Sequence, residues 1–379
     1  MALDYRGFSQ TDFARSATTV LTKHIREQES AMLRNYAMGA LLDAAGRISY
    51  NNGGRGLDWE VQYRIYDVET NTGETNRNFA RKNLWKVANL EYRGYKASDQ
   101  MFYKEMLEGQ GDEAITRVFD KLTSNLVVSL KQKLGPQYYV DGNLAANAEA
   151  WHGLESLFGT VTQTLNITTG AARTANAADK IGAPTATYAG ISTVLGNYGG
   201  ENESGQSWPN GIANEEFDFW SPIDVNYTSS SFGGATKTFD AQGDEAMRYA
   251  ITHAMRNTSL DGQITNVWLS RDKYIDFKNL LDDKERIIIS SEHSLRAMGF
   301  KNVIGFDGIE VSSENAVPTG VGYGMNFNNV ELLSMDDDLF RTEGPEYDIY
   351  TQSFNAVVST LSNLKFNSPR NCFKLQAIA

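Results

Sequence analysis

The residue types that most often carry chemistry in proteins are few and scattered along these 379 residues. The histidines stand far apart, at His24, His152, His253 and His293, and none has a carboxylate or cysteine at metal-ligand spacing. The single cysteine, Cys372, has no histidine nearby in the sequence and lies in an apolar, strand-like stretch. We therefore expect a packed thiol rather than a nucleophile, and no zinc site.

Two short segments could bind phosphate or a cation, but each lacks the rest of the pattern. "GVGYG", residues 320–324, has neither the Lys-Ser/Thr of a P-loop nor the spacing of a dinucleotide fingerprint, so we expect a loop between strands. "MDDDLF", with Asp336, Asp337 and Asp338, could hold a hard cation, although a solvated acidic turn is the favoured interpretation. The sequence also lacks a serine nucleophile elbow. It therefore predicts no catalytic, cofactor-binding or metal residues, and a protein that is not an enzyme.

Charge and cysteine content restrict the class of protein further. One cysteine excludes an internal disulfide framework and suits a reducing compartment. No signal peptide and no run of eighteen apolar residues is present, so no membrane association is expected. The net charge is -12, with 19 basic and 17 acidic residues up to position 140 and 16 against 30 beyond it. A conventional high-affinity nucleic-acid binder would need a strongly basic surface instead.

A long two-stranded ribbon is the most distinctive element of the sequence. Apolar and polar residues alternate from 57 to 65, which predicts a strand with one apolar face: Leu57, Trp59, Val61, Tyr63 and Ile65. A turn-rich stretch at 70–76 follows, and the return limb is apolar at Leu84, Ala88, Leu90 and Tyr92, with Lys86 and Glu91 predicted on its other face. Such a ribbon spans about 35 Å. Because isolated hairpins are marginal in water, its apolar face needs a covering surface.

Helical periodicity appears in several other segments. The strongest stripe is Ile115, Phe119, Leu122, Leu126, Leu130 and Leu134, which predicts a helix over 112–134 that ends at Gly135-Pro136. Further helices are predicted at 16–45 (ending at Gly46), at 98–107 with Ser98 as its cap, at 240–257 and at 271–282. Residues 145–235 are rich in Gly, Asn, Ser, Thr and Ala, and the last fifty residues are strand-like. This order of elements indicates an α+β fold.

Taken in order, these segments resemble the major capsid protein of tailed double-stranded DNA bacteriophages, which has the Hong Kong 97-type fold. The resemblance is carried by "GLDWEVQYRIYDV" and "NLWKVANLEYRGY", then "LGPQYYVDGN", "PTATYAGIS", "NVWLSRDKYIDFKNLL", "VIGFDGIEVSSENAVP" and "FNAVVSTLSNLKFNSPRNCFKLQAI". It covers nearly the whole chain and rests on order and texture rather than on one motif. It implies an N-terminal arm over 1–50, an extended hairpin loop over 51–96 and a peripheral domain with a long spine helix over 97–144. An axial domain over 145–330 and return strands of the peripheral domain over 331–379 complete the implied division.

The resemblance also implies a function and partners. The chain would self-assemble into hexamers and pentamers of an icosahedral shell that encloses the phage genome, and it would touch the packaged double-stranded DNA non-specifically. A separate scaffolding protein is expected, because no scaffold segment is expected to precede the arm, together with a portal and a possible decoration protein. The shell would be assembled in the bacterial cytoplasm and belong to the virion. Contacts between subunits would involve the hairpin residues Leu57, Trp59, Val61, Tyr63, Ile65, Arg77, Arg81, Lys82 and Lys86.

Basic residues are concentrated in and after the hairpin. Residues 77–104 contain only two acidic residues, Glu91 and Asp99. Their basic residues are Arg77, Arg81, Lys82, Lys86, Arg93, Lys96 and Lys104. We expect them to pair with the acidic remainder of a neighbouring copy, with a solvated strand face as the alternative. Some relatives join subunits through Lys–Asn isopeptide bonds, for which Lys82, Lys86 or Lys96 could serve. No acidic catalyst and asparagine partner are evident, so no covalent crosslinking is predicted.

Two other functions fit parts of the sequence. An encapsulin-like nanocompartment shell shares the implied fold but encloses enzymes instead of a genome. A carbohydrate-active or surface-binding protein would explain the Gly/Asn/Tyr-rich middle of the chain, but such a protein is usually secreted and would work without forming a shell. Purified particles that contain DNA would distinguish a virus capsid from a nanocompartment. Sedimentation would identify the second alternative, because a protein that forms no shell stays small.

Overall fold

The computed structural model describes residues 36–62, 73, 81, 83–104, 125–126, 128–130, 132–165, 172–193, 197–198, 201–202, 220–234, 236–255, 262–283, 298 and 303–378. Contacts within the chain group these residues into two compact units. The first unit takes the described residues before 56, those between 92 and 153, and 331–365. The second takes those between 56 and 91, between 154 and 330, and from 366 onward.

Helices and strands both contribute to the described residues, which form the α+β fold that the sequence predicts. The helices are α1 (Ala37–Ala44), α2 (Phe239–Ala254) and α3 (Arg271–Asp283). Residues 125–126, 128–130 and 132–137 are also helical, and we call them the spine segment. Short 3₁₀ turns span Ala145–Asn147, Leu154–Leu157, Ser230–Phe232, Phe327–Asn329 and Pro369–Asn371.

The strands are numbered in chain order. They are β1 Ile48–Ser49, β2 Gly56–Gln62, β3 Trp85–Glu91, β4 Arg93–Phe102, β5 Gln163–Leu165, β6 Ala172–Thr174, β7 Ile181–Gly182, β8 Thr187–Tyr188, β9 Ile191–Ser192, β10 Asn197–Tyr198, β11 Glu201–Asn202, β12 Ile223–Asn226, β13 Asn266–Leu269, β14 Val303–Phe306, β15 Ile309–Ser313, β16 Gly322–Met325, β17 Val330–Ser334, β18 Arg341–Asp348, β19 Ser353–Phe366 and β20 Cys372–Gln376.

The predicted helices at 240–257 and 271–282 are confirmed as α2 and α3. The predicted helix over 16–45 lies partly outside the described residues, but its end is confirmed. α1 stops at Ala44, and Gly46 follows with φ 62, the left-handed conformation that commonly ends a helix. Gly46 therefore acts as the predicted stop signal.

The first unit is built on a sheet centred on β19. The strand order is β1-β17-β19-β18, and β4 pairs with β19 as well. β4 runs antiparallel to β19 from Phe102 opposite Ser353 to Arg93 opposite Ser362, and β18 is antiparallel to the same stretch of β19. The long strand is therefore paired on both edges, with β4 from a distant part of the sequence on one edge and the directly preceding β18 on the other.

The apolar stripe of the predicted spine helix is confirmed where it is described. Leu126, Leu130 and Leu134 are buried, while Ile115, Phe119 and Leu122 lie outside the described residues. The helix continues to residue 137 rather than ending at Gly135-Pro136. Its last turn tightens instead: the N–H groups of Tyr138 and Tyr139 donate to the carbonyls of residues 135 and 136, at 3.4 and 3.0 Å.

The predicted helix over 98–107 is wrong for residues 98–102, whereas residues 103–104 are helical and 105–107 lie outside the described residues. Ser98 lies within β4, opposite Val357 of β19. Residues 96, 98, 100 and 102 are exposed while Met101 is buried, which is the two-residue period of a half-buried strand. The local helix signal loses here because β19 offers this segment a ladder of ten residue pairs.

The second unit contains a larger mixed sheet. Its nine described strands follow the order β14-β15-β13-β16-β20-β12-β7-β5-β6. The pairs β12–β20 and β13–β15 are parallel, and the other pairs are antiparallel. Trp268, Phe277, Val225 and Phe373 are fully buried in the apolar core of this unit.

"GVGYG" is not a loop, as the sequence led us to expect, but largely strand β16 in the middle of this sheet. Two of its glycines are required by packing. A Cβ at Gly324 would collide with the ring of Phe373, and one at Gly322 would come within 2.5 Å of the Leu269 side chain. The glycines therefore make room for large neighbours on β13 and β20.

The end of the chain differs from the implied division in one respect. Residues 331–365 belong to the first unit, but residues from 366 onward group with the second because β20 pairs with β12 and β16. Cys372 begins β20 and is buried, which raises the pKa of its thiol to about 12. The expected packed thiol is confirmed.

Candidate intersubunit surface

The hairpin of β2 and β3 has the alternation that the sequence predicts for its first limb. Leu57 is buried and Trp59 and Val61 are half-buried, whereas the three polar residues between and after them are exposed. The register pairs Leu57 with Leu90, Trp59 with Ala88 and Val61 with Lys86. We call the face that carries these six residues the inner face. Tyr63 and Ile65 lie outside the described residues.

Lys86 of the return limb lies on the face opposite to the one that the sequence predicts. Lys86 lies on the inner face, because it pairs with Val61 and has the same parity as Ala88 and Leu90. Its side chain is half-buried rather than fully exposed. Glu91 lies on the opposite face, as predicted. The sequence misleads here because lysine usually marks the polar face of a strand, although its long apolar stem can lie along a buried surface.

The base of the inner face is covered by its own chain. Leu57, Ala88 and Leu90 are buried without a second copy. The N–H of Asn89 donates to the carbonyl of Ala189 at 3.0 Å, which ties β3 to the turn between β8 and β9.

An aromatic stack fixes the same base. The rings of Trp59 and Trp220 lie 6.4 Å apart, and Trp220 stacks on Tyr188 at 6.1 Å. Tyr188 meets Phe366 edge-on at 5.9 Å, and its hydroxyl accepts a hydrogen bond from the N–H of Phe366 at 3.0 Å. Offset and edge-on aromatic pairs of this kind stabilise a core beyond their buried area. The observed contacts of Leu57 and Trp59 are thus with residues of their own chain. A contact between a neighbouring subunit and Leu57, Trp59 and Val61 stays a prediction.

The opposite face of the hairpin exposes two large apolar side chains that sequence reasoning missed. Trp85 is 50% exposed and Val87 is 63% exposed, and both lie on the same side of β3. Their cross-strand partners are Gln62 and Glu60. We call this the outer face. The signal was present in the sequence as "WKV", which places apolar residues at odd positions of a strand whose even positions 88 and 90 are apolar as well.

The basic residues of this region do not share one role. Arg81 and Lys96 are exposed, and Arg77 and Lys82 lie outside the described residues. Arg93 instead serves its own unit, because its guanidinium donates to the carbonyls of Gly142 and Ala150 at 2.6 and 3.0 Å. Arg93 is therefore not among the surface charges that could pair with a neighbour.

Arg93 also defines the environment of His152. Burial, and secondly the charge of Arg93, lower the pKa of the His152 imidazole to about 4. The backbone N–H of His152 donates to Asn363 Oδ1 at 3.0 Å. Tyr95 accepts from the N–H of Trp151 at 2.8 Å and donates to Gln137 at 2.7 Å, and burial raises its pKa to about 12. These contacts hold the 141–153 segment against the sheet and supply no group poised for catalysis near neutral pH.

A second buried polar group lies in the large sheet. Lys374 Nζ lies 2.5 Å from Glu155 Oε1, and the hydroxyl of Tyr323 donates to the same carboxylate. Gln376 Nε2 donates to Asp224 Oδ2 at 2.5 Å. Asp224 and Lys374 are register partners on β12 and β20. The arrangement is a polar network that spans three strands (β12, β16 and β20) and a 3₁₀ turn inside an apolar unit.

The described residues show neither a metal-ion cluster nor a membrane-spanning helix. Among the residues the structure describes, no three His, Cys, Asp or Glu side chains cluster closely enough to hold a metal ion. In the same part of the chain, no helix has both the length and the apolar character needed to cross a bilayer. Asp336, from the acidic "MDDDLF" segment, forms an ion pair with Arg341 at 3.6 Å.

Comparison with known proteins gives similarity only at the level of structure. No family model and no curated protein sequence matches this chain. A chain of the cyanophage A-1(L) capsid asymmetric unit is similar with a TM-score of 0.55 and 14% identity, over 89% of this chain and 93% of that one. The capsid of a native GTA particle gives 0.48 and 11% over 88% and 89%. The SrpI encapsulin from Synechococcus elongatus PCC 7942 gives 0.40 and 8% over 77% and 75%.

The similarity to the cyanophage chain extends over nearly the full length of both chains. At this level of identity it establishes the fold. The chain therefore has the Hong Kong 97-type fold of tailed-phage capsid proteins, and the fold implied by the sequence resemblance is confirmed.

Proposed function

We propose that this chain is a major capsid protein that self-assembles into hexamers and pentamers of an icosahedral shell around a phage genome. The observation that carries the proposal is the full-length structural similarity to the cyanophage capsid chain, with a TM-score of 0.55. Fold similarity alone does not define a function, so the proposal also needs surfaces suited to contacts between copies.

The outer face of the hairpin provides one such surface. A tryptophan and a valine on neighbouring positions of a ribbon, at 50% and 63% exposure, form an apolar spot that water solvates poorly. Exposed tryptophans are also enriched among the residues that dominate interface energies. We therefore assign Trp85 and Val87 to a contact with the next subunit, alongside the hairpin residues predicted from the sequence.

The expected partners follow from this role. A separate scaffolding protein, a portal and a decoration protein would meet the shell during or after its assembly in the bacterial cytoplasm. Packaged double-stranded DNA would be touched non-specifically, because a chain of net charge -12 lacks the basic surface needed for tight binding to phosphates. The mature location would be the virion.

Expression of the full chain in bacteria, alone and together with the genes of a candidate scaffold, tests the proposal. Sedimentation and electron microscopy should show closed shells of uniform size, and infected-cell particles should protect DNA from nuclease. A chain that stays small under all these conditions would contradict the proposal and favour a binding protein. Shells that hold a protein cargo and no nucleic acid in infected cells would favour the nanocompartment alternative.

A further inference from the structure

Strand β20 lies inside the nine-stranded sheet, between β16 and β12, yet only one of its faces is apolar. Phe373 and Leu375 are buried, and the ring of Phe373 fills the space that Gly324 leaves open. The alternate residues, Lys374 and Gln376, are polar. Strands that are buried on both faces usually carry apolar side chains throughout. The seating of β20 therefore depends on polar partners for one of its faces.

The polar side chains of β20 meet two carboxyl groups. Lys374 Nζ lies 2.5 Å from Glu155 Oε1, and Gln376 Nε2 donates to Asp224 Oδ2 at 2.5 Å. The register sets Tyr323, Lys374 and Asp224 side by side on β16, β20 and β12. The hydroxyl of Tyr323 donates to the Glu155 carboxylate, which is thus the anion that balances the buried ammonium.

Asp224 is the surplus acid of this cluster. Its side chain is fully buried, and its Oδ1 accepts no hydrogen bond from the described residues. While Asp224 is protonated, one ammonium and one carboxylate balance each other, whereas its ionisation leaves a net negative charge away from water. Burial accordingly raises the pKa of Asp224 to about 7, against the charge of Lys374 and with that of Glu155.

Among the described residues, no other element brings a charge to Asp224. Its partner on β7 is Gly182, where a Cβ would lie 3.2 Å from Asp224 Cγ and closer still to the side chains of Val161 and Ile378. Helix α2 also packs against β12, but the charges that act on Asp224 are those of Lys374 and Glu155. The cost of ionising Asp224 is therefore set by β20 and by the 3₁₀ turn Leu154–Leu157.

We propose that β20 is a pH-sensitive clasp, which stays seated between β12 and β16 while Asp224 is protonated and leaves the sheet more readily once Asp224 is ionised. Its departure admits water to Asp224, Lys374 and Glu155, so ionisation favours the open state over the closed one. Asp224 titrates near pH 7 with the strand seated and near pH 4 in water. Its contribution to closure is therefore complete below about pH 4 and lost by about pH 7. The clasp belongs to the single subunit and does not depend on assembly.

Cys372, the only cysteine and the first residue of β20, can report this opening. Its buried thiol must reach water before it reacts with 4,4′-dithiodipyridine. The labelling rate of unassembled full-length chain is divided by that of the urea-unfolded chain at the same pH, which cancels the titration of the thiol itself. The protection defined by this ratio should fall about 80-fold between pH 5 and pH 8.

Two aspartate variants test the role of the carboxyl group. Asp224→Asn, which has no acid to ionise, should keep nearly constant protection of Cys372 over this pH range. Asp240→Asn is the matched control, because Asp240 is exposed at the start of α2 in the same unit. It should retain the wild-type profile.

Opening of β20 must be distinguished from global unfolding, which also frees Asp224. Release of one strand exposes little surface, so the labelling of Cys372 should hardly change below about 1 M urea. Cys372→Ser combined with Val267→Cys places the thiol on β13, where residue 267 is fully buried. That reporter should be better protected, and its labelling should rise more than tenfold over the same urea range.

Glu155→Gln gives an independent test that keeps the geometry of the cluster. Its amide oxygen can accept from Lys374 and Tyr323, but the anion that raises the pKa of Asp224 is gone. Protection of Cys372 should therefore stop falling at a lower pH than in the wild type. An unchanged profile in Glu155→Gln or in Asp224→Asn would overturn the clasp, as would Cys372 labelling as sensitive to urea as labelling at position 267. A chain that forms no shells would overturn the proposed function and leave the clasp intact.

Discussion

Asp224 is a buried carboxyl group whose ionisation opposes folding. Its side chain is fully buried on β12, and desolvation raises its pKa to about 7. The positive charge of Lys374 counteracts this shift, the negative charge of Glu155 adds to it, and the hydrogen bond from Gln376 again lowers the pKa. Above neutral pH the folded chain must therefore hold an ionised carboxylate in an apolar unit.

The expected consequence is a stability that falls as the pH rises. An acid whose folded pKa lies above its unfolded pKa contributes stability that is complete below about pH 4 and lost by about pH 7. Asp224→Asn removes this loss while its amide oxygen can still accept from Gln376. Denaturant titration should show that the variant unfolds with a higher free energy than the wild type, and that this gain is about 3 kcal/mol larger at pH 8 than at pH 5. An equal gain at both pH values would contradict this expectation.

Two comparisons make the measurement specific. Asp337→Asn, at an exposed aspartate, controls for the loss of one negative charge. His152 acts in the opposite direction, because a pKa lowered to about 4 makes the folded state lose stability as the pH falls below about 6.5. The wild-type profile therefore mixes both effects, and only the difference between wild type and variant isolates Asp224.

At the scale of elements, the sequence predicts a helix or strand correctly where the spacing of apolar residues within that one segment is sufficient. α2, α3 and the described leucines of the spine segment follow from a 3.6-residue apolar spacing that needs no knowledge of the partner. The hairpin limb at 57–61 follows in the same way from a period of two. These elements could be predicted because amphipathic spacing is encoded within each segment.

The elements that sequence reasoning missed depend on a distant partner. β4 became a strand because β19, some 250 residues later, pairs with it, and the glycines of β16 are strand residues because Phe373 and Leu269 fill the space beside them. The covering of Leu57 and Trp59 likewise depends on Trp220 and Tyr188. No local pattern encodes such pairings, so neither the strand identity of β4 nor the internal cover of the hairpin could be deduced.

The hairpin offers a matched pair of tryptophans on opposite faces. Trp59 packs near Trp220 within its own chain, whereas Trp85 is half exposed. With the observed packing, we expect Trp59→Ala to lower the unfolding free energy by about 3 kcal/mol, as for a large core truncation.

Trp85→Ser should have the reverse effect, leaving the melting temperature of subunits unchanged and reducing shell yield about tenfold. Thermal melting of unassembled subunits and sedimentation of assembled ones separate the two results. If Trp85→Ser destabilises the subunit as much as Trp59→Ala does, the outer face belongs to the fold of the subunit and not to an interface.

The spine segment allows a similar comparison on one helix. Leu130 is 3% exposed and Val128 is 47% exposed, two residues apart. Leu130→Asp places a charge in the apolar interior and should yield insoluble or unfolded protein. Val128→Asp should remain soluble with a melting temperature close to that of the wild type. Soluble, cooperatively melting Leu130→Asp would show that the stripe is not part of the core.

At the scale of the whole molecule, charge is divided unevenly along the chain. The part up to residue 140 is nearly balanced, whereas the remainder carries most of the net charge of -12. Arg93 hydrogen-bonds within its own unit and so is not available for a contact between copies, whereas the exposed Arg81 is available. Identical copies with such an uneven distribution attract one another when unlike regions meet.

Assembly should therefore weaken as salt is added. A surface ion pair contributes below about 1 kcal/mol, and near 1 M salt the screening length shrinks to about 3 Å. Because such pairs recur at every interface, the shell yield should fall steeply between about 0.05 and 0.5 M salt, while the melting of unassembled subunits changes little.

Arg81→Gln should reduce this salt dependence without destabilising the subunit. Arg93→Gln should instead lower the melting temperature, since it leaves the Gly142 and Ala150 carbonyls without their guanidinium donor. A shell yield that stays flat across this range would show that charge pairing does not guide assembly.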